Sequence, residues 1–478
     1  MSKRIFIGLL AGTLLLPGCT LYTKPEVNTP VPPEVFKVTV DAEKFKALNN
    51  RWWENFNNSQ LNALVEKALE NNMNYQVAIK NIDIAQTYVL QNMTLMFPQL
   101  GVDYELSRNK NILNVGNSFT SAPELTGNNS IINLQTLTAT VNYEIDAWNQ
   151  VHNAVDQAKA DKDTSEGNAN IFRLTLISSV VTTYFQIMAL NENISHYEKQ
   201  YAAAFEIAEL TEVQYRSGLV DDALVYTAKN NAETILSSLK TAQKQQQVYL
   251  YTLAYLLGEY PEEYTPTVEG KLSDLKFDAL VPQAIPSNML AVRPDIQASF
   301  SSILSFGYIE KQNIANFLPS LSLSGTYGYA NNTLAKLINQ SNVLWNFGLS
   351  ALQTVIDYPA LYSQWKRSQI QYEAAILTYK NTLINAYTEV DAALVTYKQD
   401  TKVLESNERQ LYNDKELLSI AKAQYSAGLT NYIDYLTNDI NWLQGNINLT
   451  SQQLSVTQDI VQVYKTLGLG TEDEEEHG

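Results

Sequence analysis

The chain has 478 residues, with 50 acidic and 33 basic side chains and a formal net charge of −17. This balance argues against a nucleic-acid-binding surface, because phosphate neutralisation requires clustered Lys and Arg. A single Cys cannot form an internal disulfide or a CxxC pair, and the three His residues are scattered along the chain. We therefore expect a protein that is not an enzyme and that needs no metal or other cofactor.

The segment 1–18 has the form of an export signal. Lys3 and Arg4 precede an apolar run over 5–16, which is shorter than the about 20 residues that a helix needs to span a bilayer. A basic start, a short apolar stretch and small residues before a cleavage point are typical of signal peptides. Later in the chain no apolar run reaches about 18 residues, so we expect no transmembrane helix in the mature protein.

The end of this signal, Leu16-Pro17-Gly18-Cys19, resembles a bacterial lipobox. In that pattern the Cys becomes the lipidated first residue of the mature protein, which predicts lipidation at Cys19. Thr20, rather than Asp, follows the Cys, and by resemblance to bacterial lipoproteins this favours anchoring at the outer membrane. The alternative is an ordinary signal peptide followed by an incidental Cys.

An internal duplication organises the rest of the chain. Two motif pairs lie 210 residues apart and a third pair lies 221 residues apart: Tyr215-Arg216-Ser217-Gly218-Leu219 with Tyr425-Ser426-Ala427-Gly428-Leu429, Leu257-Gly258 with Leu467-Gly468, and Phe97-Pro98-Gln99-Leu100 with Leu318-Pro319-Ser320-Leu321. The pattern predicts two repeats, over 59–258 and 287–468, joined by a connector over 259–286. Repeats of this length are duplicated structural modules rather than solenoid repeats of about 20–50 residues.

Both repeats show the same order of predicted elements. A helix ends near a Pro, which cannot continue it, and period-two alternation of apolar and polar residues then indicates two strands. Long helical stretches follow. In the first and second repeat, these elements are helices over about 60–96 and 288–316, β-hairpins over 99–145 and 320–356, and paired long helices over 147–257 and 363–467.

The long helices carry an apolar residue at every seventh position. In the second repeat the series is Ile376, Leu383, Val390, Tyr397, Leu404, Leu411, Leu418 and Tyr425. Sustained seven-residue spacing makes helices wrap around their neighbours. Companion positions such as Asp400 and Asp414 are polar, so the stripe indicates lateral packing with one wetted side rather than a dimeric zipper.

Four alternating strands allow two architectures. They form either a small half-buried sheet on a soluble rod or part of a membrane barrel whose apolar face meets lipid. A spanning sheet must close, because open edges are not tolerated in lipid, and the smallest known barrels have about eight strands. Three chains would supply about twelve strands around a water-filled lumen. The export signal, the lipobox and the aromatic residues on the apolar strand faces favour the spanning architecture.

At this point the sequence resembles the TolC-like outer membrane factor family, in its branch of outer membrane efflux lipoproteins. The resemblance covers about 50–470. It is carried by motifs in their order and spacing: Trp52-Trp53 with Phe56, Leu61 with Leu64-Val65-Glu66-Lys67-Ala68-Leu69, Tyr143-Glu144-Ile145-Asp146-Ala147-Trp148, Arg293-Pro294-Asp295-Ile296, and Leu318-Pro319-Ser320-Leu321-Ser322-Leu323.

The resemblance implies a mainly α fold with a transmembrane β-barrel. Three chains would share a twelve-stranded barrel in the outer membrane and a periplasmic α-helical tunnel. An equatorial domain would draw on the segment 19–58 and the connector 259–286, and the acidic tail over 469–478 is expected to be disordered. The implied function is passive conduction of drugs or other small toxic compounds in a tripartite efflux system. Its partners would be a periplasmic adaptor protein, an inner-membrane pump of the proton-driven resistance-nodulation-division type, and outer membrane lipid.

The resemblance also implies a gate at the helix turns furthest from the membrane. Side chains repeated around a threefold axis would narrow the tunnel there, and carboxylates would bind cations or pair with Arg216. The candidates are Asp221 and Asp222 at the first turn, and Tyr432, Ile433, Asp434 and Asp439 at the second. For the two acids of the first turn, the alternative is simple capping of the following helix.

Two other functions stay open within the channel interpretation: a metal-ion efflux duct and a type I protein secretion duct. A non-pore periplasmic coiled-coil lipoprotein is the structural alternative. An exported hydrolase is disfavoured, because the sequence has no G-x-S-x-G elbow near any predicted strand.

Overall fold

The computed structural model describes residue 25 and the ranges 51–111, 130–262, 267–275, 292–353 and 357–471. The predicted signal peptide, Cys19, most of the segment 19–58 and the tail residues 472–478 lie outside the described residues.

The described ranges contain seven α-helices and four β-strands. In chain order these are α1 (Ser59–Asn71), α2 (Met73–Thr94), β1 (Gln99–Asn111), β2 (Ser130–Ile145), α3 (Gln150–Arg216), α4 (Asp222–Leu256), α5 (Pro294–Ala315), β3 (Ser320–Asn331), β4 (Val343–Leu352), α6 (Tyr358–Ser426) and α7 (Tyr432–Thr466). The predicted fold class is confirmed in its mainly helical content, its two hairpins and its duplicated pairs of long helices.

The chain divides into two compact units. The first unit includes Asp83–Lys162 and Ser301–Leu377 and contains the whole sheet. Its strands are all antiparallel in the order β1-β2-β3-β4, so the β2–β3 pair joins the two repeats. The second unit includes the described parts of 29–82, 163–300 and 378–478, and it contains both turns between the long helices.

In the first unit, polar side chains join the start of α3 in the first repeat to α5 and the residues just after it in the second. Trp148, just before α3, donates from Nε1 to the carbonyl of Pro319 at 2.7 Å. Further along, Ser305 Oγ donates to Asp161 Oδ1 at 2.6 Å. These bonds are part-buried, where a hydrogen bond is worth more than at the surface. They tie the segment that leaves the first hairpin to the segment that leads into the second.

The bounds of three helices differ from the expected ones. Asn72 interrupts the helix predicted over 60–96, because its Oδ1 accepts the N–H of Tyr75 at 3.1 Å and so starts a new helix. The helix predicted over 288–316 starts at Pro294, since Pro keeps the residue before it out of the helical region. The second pair of long helices, predicted to begin at residue 363, begins at Tyr358. Pro359 fits in the first turn, because the backbone N–H groups there have no partner within the helix.

The second unit has an aromatic core that brings residues near 52 together with residues near 464. Trp52 stacks on Tyr464 with ring centroids 5.1 Å apart, and Phe56 lies 4.8 Å from Phe185. Trp52 Nε1 also donates to the carbonyl of Leu469 at 3.0 Å. Leu469 and Gly470 are buried, so the disorder expected from 469 onward does not begin at those residues.

The seven-residue stripe is buried in its middle and exposed near the turn. Val390, Tyr397 and Leu404 are 0%, 7% and 6% exposed, whereas Tyr425 is 43% exposed. One copy of the chain therefore leaves the last residue of its own stripe exposed.

Among the described residues one helix, α3, has a stretch long and apolar enough to cross a membrane. About 61% of that stretch is buried within the fold. Because α3 also contributes the fully buried Ile177, Val180 and Phe185, its apolar character belongs to the core of the second unit.

Candidate functional site: a two-faced sheet and two helix turns

The strand register gathers most of the apolar strand residues on one face of the sheet. Val102 lies opposite Ala139, Ala139 opposite Tyr327, and Tyr327 opposite Trp345. Since side chains alternate along a strand, this row fixes the face for every second residue. The apolar residues on this face include Leu100, Val102, Tyr104, Leu106, Leu137, Ala139, Val141, Tyr143, Leu323, Tyr327, Tyr329, Val343, Trp345, Phe347 and Leu349.

The outer strands of this apolar face are exposed. Leu100 is 81% exposed, Trp345 74% and Phe347 68%. Soluble monomers rarely expose a contiguous apolar patch of more than a few hundred Å². β1 and β4 each pair on one side only, so both edges of the sheet also carry unpaired backbone groups. The sheet of a single chain is therefore incomplete in either solvent. In water its apolar face would be exposed, and in lipid its edge strands would lack partners.

The opposite face of the sheet is mostly polar. One row across it runs from Thr140 to Thr326 to Asn346, and further along Ser322 and Ser350 hydroxyls lie 2.6 Å apart. Acidic residues on this face are Asp103, Glu105 and Glu144. The sheet can therefore present lipid on one side and water on the other.

The two turns between the long helices share one backbone geometry. Gly218 and Gly428 have φ of 74° and 72°, in the left-handed region that favours Gly. The N–H of the following residue, Leu219 or Leu429, donates five residues back at 2.9 Å in each turn. Those bonds close the helix end as a Schellman motif. Nothing lies within 4 Å of a Cβ built at either glycine, so both turns are open at the surface.

The helix after each turn also begins in the same way. Asp221 Oδ1 accepts the N–H of Leu224 at 3.0 Å, and Asn431 Oδ1 accepts the N–H of Asp434 at 2.8 Å. In the single chain Asp221 therefore serves as a helix cap, and Asp222 is exposed in the first turn of α4.

The first turn is flanked by ion pairs. Glu212 accepts from Arg216 Nη2 at 2.6 Å and pairs with Lys229 Nζ at 2.7 Å. The hydrogen bond from Lys229, followed by that from Arg216, lowers the pKa of Glu212. Arg216 therefore pairs within the chain with Glu212 rather than with either predicted acid of that turn.

The second turn is flanked by aromatic rings. Tyr425, Tyr432 and Tyr435 form a cluster with centroid separations of 5.1, 6.2 and 5.7 Å. The pKa of Tyr432 is raised, first by desolvation and then by the nearby carboxylate of Glu206 on α3. Tyr432 therefore lies close to a carboxylate of a neighbouring helix in the same unit.

The other candidates at the second turn have separate surroundings. Asp434 Oδ2 accepts from Thr430 Oγ1 at 2.5 Å, which fixes the acid beside the turn. Asp439 is half-buried, and desolvation raises its pKa while Lys199 opposes that shift. Ile433 is partly exposed.

Sequence reasoning missed Glu206, Glu212, Lys229 and Tyr435. Tyr435 could have been found, because it lies three residues after Tyr432 on the same helix face. Glu206 could not, since it reaches Tyr432 from a helix more than two hundred residues earlier. In the described ranges no group of three or more His, Cys, Asp and Glu side chains could hold a metal ion.

This combination of a two-faced, open-edged sheet and long paired helices is that of an outer-membrane channel. The sequence profile of the outer membrane efflux protein family matches residues 64–259 and 285–469, and the chain belongs to that family.

Relatives of known name cover almost the whole chain. The pyoverdine export outer membrane protein OpmQ of Pseudomonas putida is 26% identical over 465 residues, 97% of each chain. The solvent efflux pump outer membrane protein SrpC of Pseudomonas putida is 25% identical over 481 residues, 96% of each chain. The crystal structure of the Campylobacter jejuni CmeC outer membrane channel superposes with a TM-score of 0.83 and 26% identity, over 95% of this chain and 96% of that one.

Proposed function

We propose that three copies of this chain form an outer-membrane duct that passively conducts small toxic compounds out of the cell. The observation that carries the proposal is the sheet, which is apolar and exposed on one face, polar on the other, and open at both edges. In lipid each unpaired backbone group costs several kcal/mol, so β1 of one copy must pair with β4 of the next. Three copies give twelve strands, an even number that encloses a lumen.

The polar face supplies the wall of that lumen. Thr, Asn and Ser side chains make it wettable, and Asp103, Glu105 and Glu144 make it acidic. Carboxylate rings in a pore favour cations and repel anions. No step in this conduction requires a catalytic group.

Two adjacent residues of β4 test the assignment of the faces. Trp345→Asp puts a charge on the lipid face, whereas Asn346→Asp puts the same charge on the lumen face. We expect the first variant to lose most of its membrane-inserted, heat-modifiable trimer on gels. The second should insert normally and give single channels in planar bilayers that are more cation-selective. Equal insertion of both variants, or a soluble monomeric wild type, would overturn the proposal.

The partners proposed are a periplasmic adaptor and an inner-membrane pump of the proton-driven resistance-nodulation-division type. The named relatives export pyoverdine and solvents, which supports small organic compounds as cargo. Because a passive duct conducts what its pump delivers, metal ions and secreted proteins are the competing cargoes. Deletion followed by a panel of drugs, metal salts and secreted-protein assays distinguishes the three.

The two open turns are the proposed contact for the adaptor. Leu219 is 73% exposed and Leu429 is 79% exposed, directly after the turn glycines. In a trimer they present six apolar points of matching backbone geometry. Leu219→Asp and Leu429→Asp should each reduce pull-down of the adaptor, and Leu219→Asp, which lies outside the proposed gate, should leave conductance intact.

The second turn is the proposed gate. Tyr432 lies near Glu206 of α3, and Ile433, Asp434 and Asp439 are the other gate candidates on α7. Tyr432→Phe removes the hydroxyl and should raise the conductance of the purified trimer. Tyr226→Phe, at an exposed tyrosine near the first turn, is the matched control. Equal conductance of both variants would count against the gate.

The anchor and the equatorial domain complete the proposal. Cys19 would carry the lipid, and the domain would form from 19–58 and 259–286. Gln60 Nε2 donates to the carbonyl of Thr267 at 2.7 Å and Asn191 Nδ2 to that of Val268 at 3.0 Å, which supports docking of the connector on the first repeat. Incorporation of labelled palmitate, lost in Cys19→Ser, tests the anchor.

A further inference from the structure

We infer that the start of α6 is a binding surface for the phosphate groups of phospholipids in the periplasmic leaflet of the outer membrane. The inference rests on the proposed function, because it requires the sheet to span that membrane. Only residues 353–357 separate the end of β4 from the start of α6. The surface lies in the same compact unit as the sheet.

The surface is a shallow groove of about 390 Å³ on one side of α6. Its lining combines a ring, a hydroxyl, two cations, an aliphatic chain and an amide: Tyr362, Ser363, Lys366, Arg367, Ile370 and Gln371. Such a lining suits a ligand with an anionic head next to an apolar part. A phospholipid has both.

Among the residues that the structure describes, neither cation of the groove forms an ion pair with a carboxylate. The fifteen residues from Tyr358 to Tyr372 include Lys366 and Arg367 but no Asp or Glu, although the chain as a whole has a net charge of −17. Lys366 Nζ bonds only a neutral amide, Gln369 Oε1, at 2.8 Å. In the described ranges Arg367 has no hydrogen-bond or ion-pair partner, and it is exposed.

Helix stability does not account for these charges. Cations are favoured near the carboxyl end of a helix and not near its amino end, and the i±4 positions of Arg367 are Ser363 and Gln371, which form no ion pair with it. An unpaired guanidinium keeps its planar fork free for a bidentate contact with phosphate.

The position along the chain matches the depth of a headgroup. Lys366 lies eight residues after Tyr358, at most about 12 Å along the helix, and the headgroup layer begins where the apolar strands end. Tyr358 and Tyr362 are 60% and 48% exposed there, and exposed Tyr is typical of the membrane–water boundary. Long cationic side chains close to this boundary extend their charge into the headgroups.

The test measures lipid retained by the whole trimer. Wild type, Lys366→Gln/Arg367→Gln and Lys398→Gln/Lys402→Gln are placed in nanodiscs of phosphatidylcholine with a minor share of phosphatidylglycerol. The control pair is exposed on the same helix, more than thirty residues further on, and removes the same charge. Native mass spectrometry then counts phosphatidylglycerol bound per trimer. The first double variant should lose about 30-fold in affinity, equivalent to about 2 kcal/mol, and the control should keep wild-type retention.

Equal retention by all three proteins would overturn the inference. Loss of the trimer in the first variant would also overturn it, because the groove would then be an interface between copies. Arg367→Lys keeps the charge and should recover part of the retention. Single-channel conductance of the same samples reports on the duct itself, so a failed duct is distinguishable from a failed lipid site.

Discussion

The two repeats close the ends of their returning helices with the same backbone but with different side chains. In the first repeat Asn72 Nδ2 donates to the carbonyl of Leu256 at 3.0 Å, and in the second Arg293 Nη1 donates to the carbonyl of Thr466 at 2.6 Å. The donors are 221 residues apart and the acceptors 210, the same offsets as the repeated motifs. A hydrogen bond to a last-turn carbonyl has thus been kept while the residue that makes it has changed.

The change gives the second repeat an ion-pair network that the first lacks at this position. Arg293 is 7% exposed, and its Nη2 also contacts Asp295 Oδ2 at 2.7 Å and Glu389 Oε2 at 2.8 Å. Desolvation acts to lower its pKa, but the two carboxylates outweigh that effect and the pKa is raised. Between the two repeats, the backbone carbonyl that accepts this hydrogen bond is therefore preserved, whereas the side chain that donates to it is not.

The largest effect should come from removing this network. Arg293→Ala leaves a buried carbonyl without its donor and two carboxylates without their cation, so we expect a loss of about 3–4 kcal/mol. Asn72→Ala removes the corresponding bond and a cap without an ion pair, and should lose about 1–2 kcal/mol. Urea unfolding of the trimer, followed by helical circular dichroism, measures both. Equal losses would mean that the ion pairs of Arg293 contribute nothing.

The next prediction compares a buried glycine with an exposed one that has the same backbone conformation. Gly258 and Gly218 have φ of 73° and 74°, but a Cβ at Gly258 would collide with the carbonyl of Asn71, whereas one at Gly218 would meet nothing within 4 Å. Gly258→Ala should therefore lower the free energy of unfolding by about 3 kcal/mol, which is the sum of the left-handed backbone strain and the clash. Gly218→Ala should lose about 1 kcal/mol from strain alone. Similar shifts in the unfolding midpoint would show that the backbone at Gly258 relaxes away.

The elements that the sequence predicted well are those with a local cause. The Pro and Gly positions, the period of two in the strands and the seven-residue stripe all act over a few residues, and each is visible in the helices, strands and turns of the structure. The break at Asn72 was missed because an Asn inside a helical pattern carries no breaker signal as strong as Pro.

Features that depend on contacts between residues far apart in the chain could not be predicted from the sequence. The correspondence of Asn72 with Arg293 has no shared residue type, and the partner of Tyr432, Glu206, comes from another helix. The same limit applies to the gate candidates. For Asp221 and Asp222 the residue type suited either a cap or a gate, and the bond from Leu224 to Asp221 shows that Asp221 is a cap in the single chain.

The second pair of long helices should contribute a pH dependence of stability that the first pair does not, because of one position near its middle. Asp400 and Asp459 face each other in the second repeat, where the positions 210 residues earlier are Leu190 and Tyr249. Desolvation, followed by repulsion from Asp400, raises the pKa of Asp459 from 3.8 to about 7. Its Oδ2 is buried without a donor among the described residues.

The sign of the effect follows from proton binding. Between about pH 4 and pH 7 the folded protein keeps a proton on Asp459 that the unfolded chain releases, so stability falls as pH rises through this window and is level above it. Allowing for solvent screening of a half-exposed group, the loss is about 1–2 kcal/mol. Asp459→Asn should abolish this slope and exceed wild type in unfolding midpoint at pH 8. Tyr249→Phe, at the matching position of the first repeat, should keep the wild-type slope, and a slope that survives in Asp459→Asn would contradict the assignment.

The smallest effect compares the two caps that follow the turns. Asp221→Ala and Asn431→Ala each remove one side-chain acceptor from an exposed helix start, so each should lose about 1 kcal/mol. At low salt Asp221→Ala should lose slightly more stability than Asn431→Ala, because the charge of Asp221 also interacts with the helix dipole. Conductance separates capping from gating at the first turn. If Asp221→Ala lowers stability by this amount and leaves conductance unchanged, Asp221 is a cap. A conductance change as large as that of Tyr432→Phe would instead place the first turn in the gate, and the two turns would then share function as well as backbone.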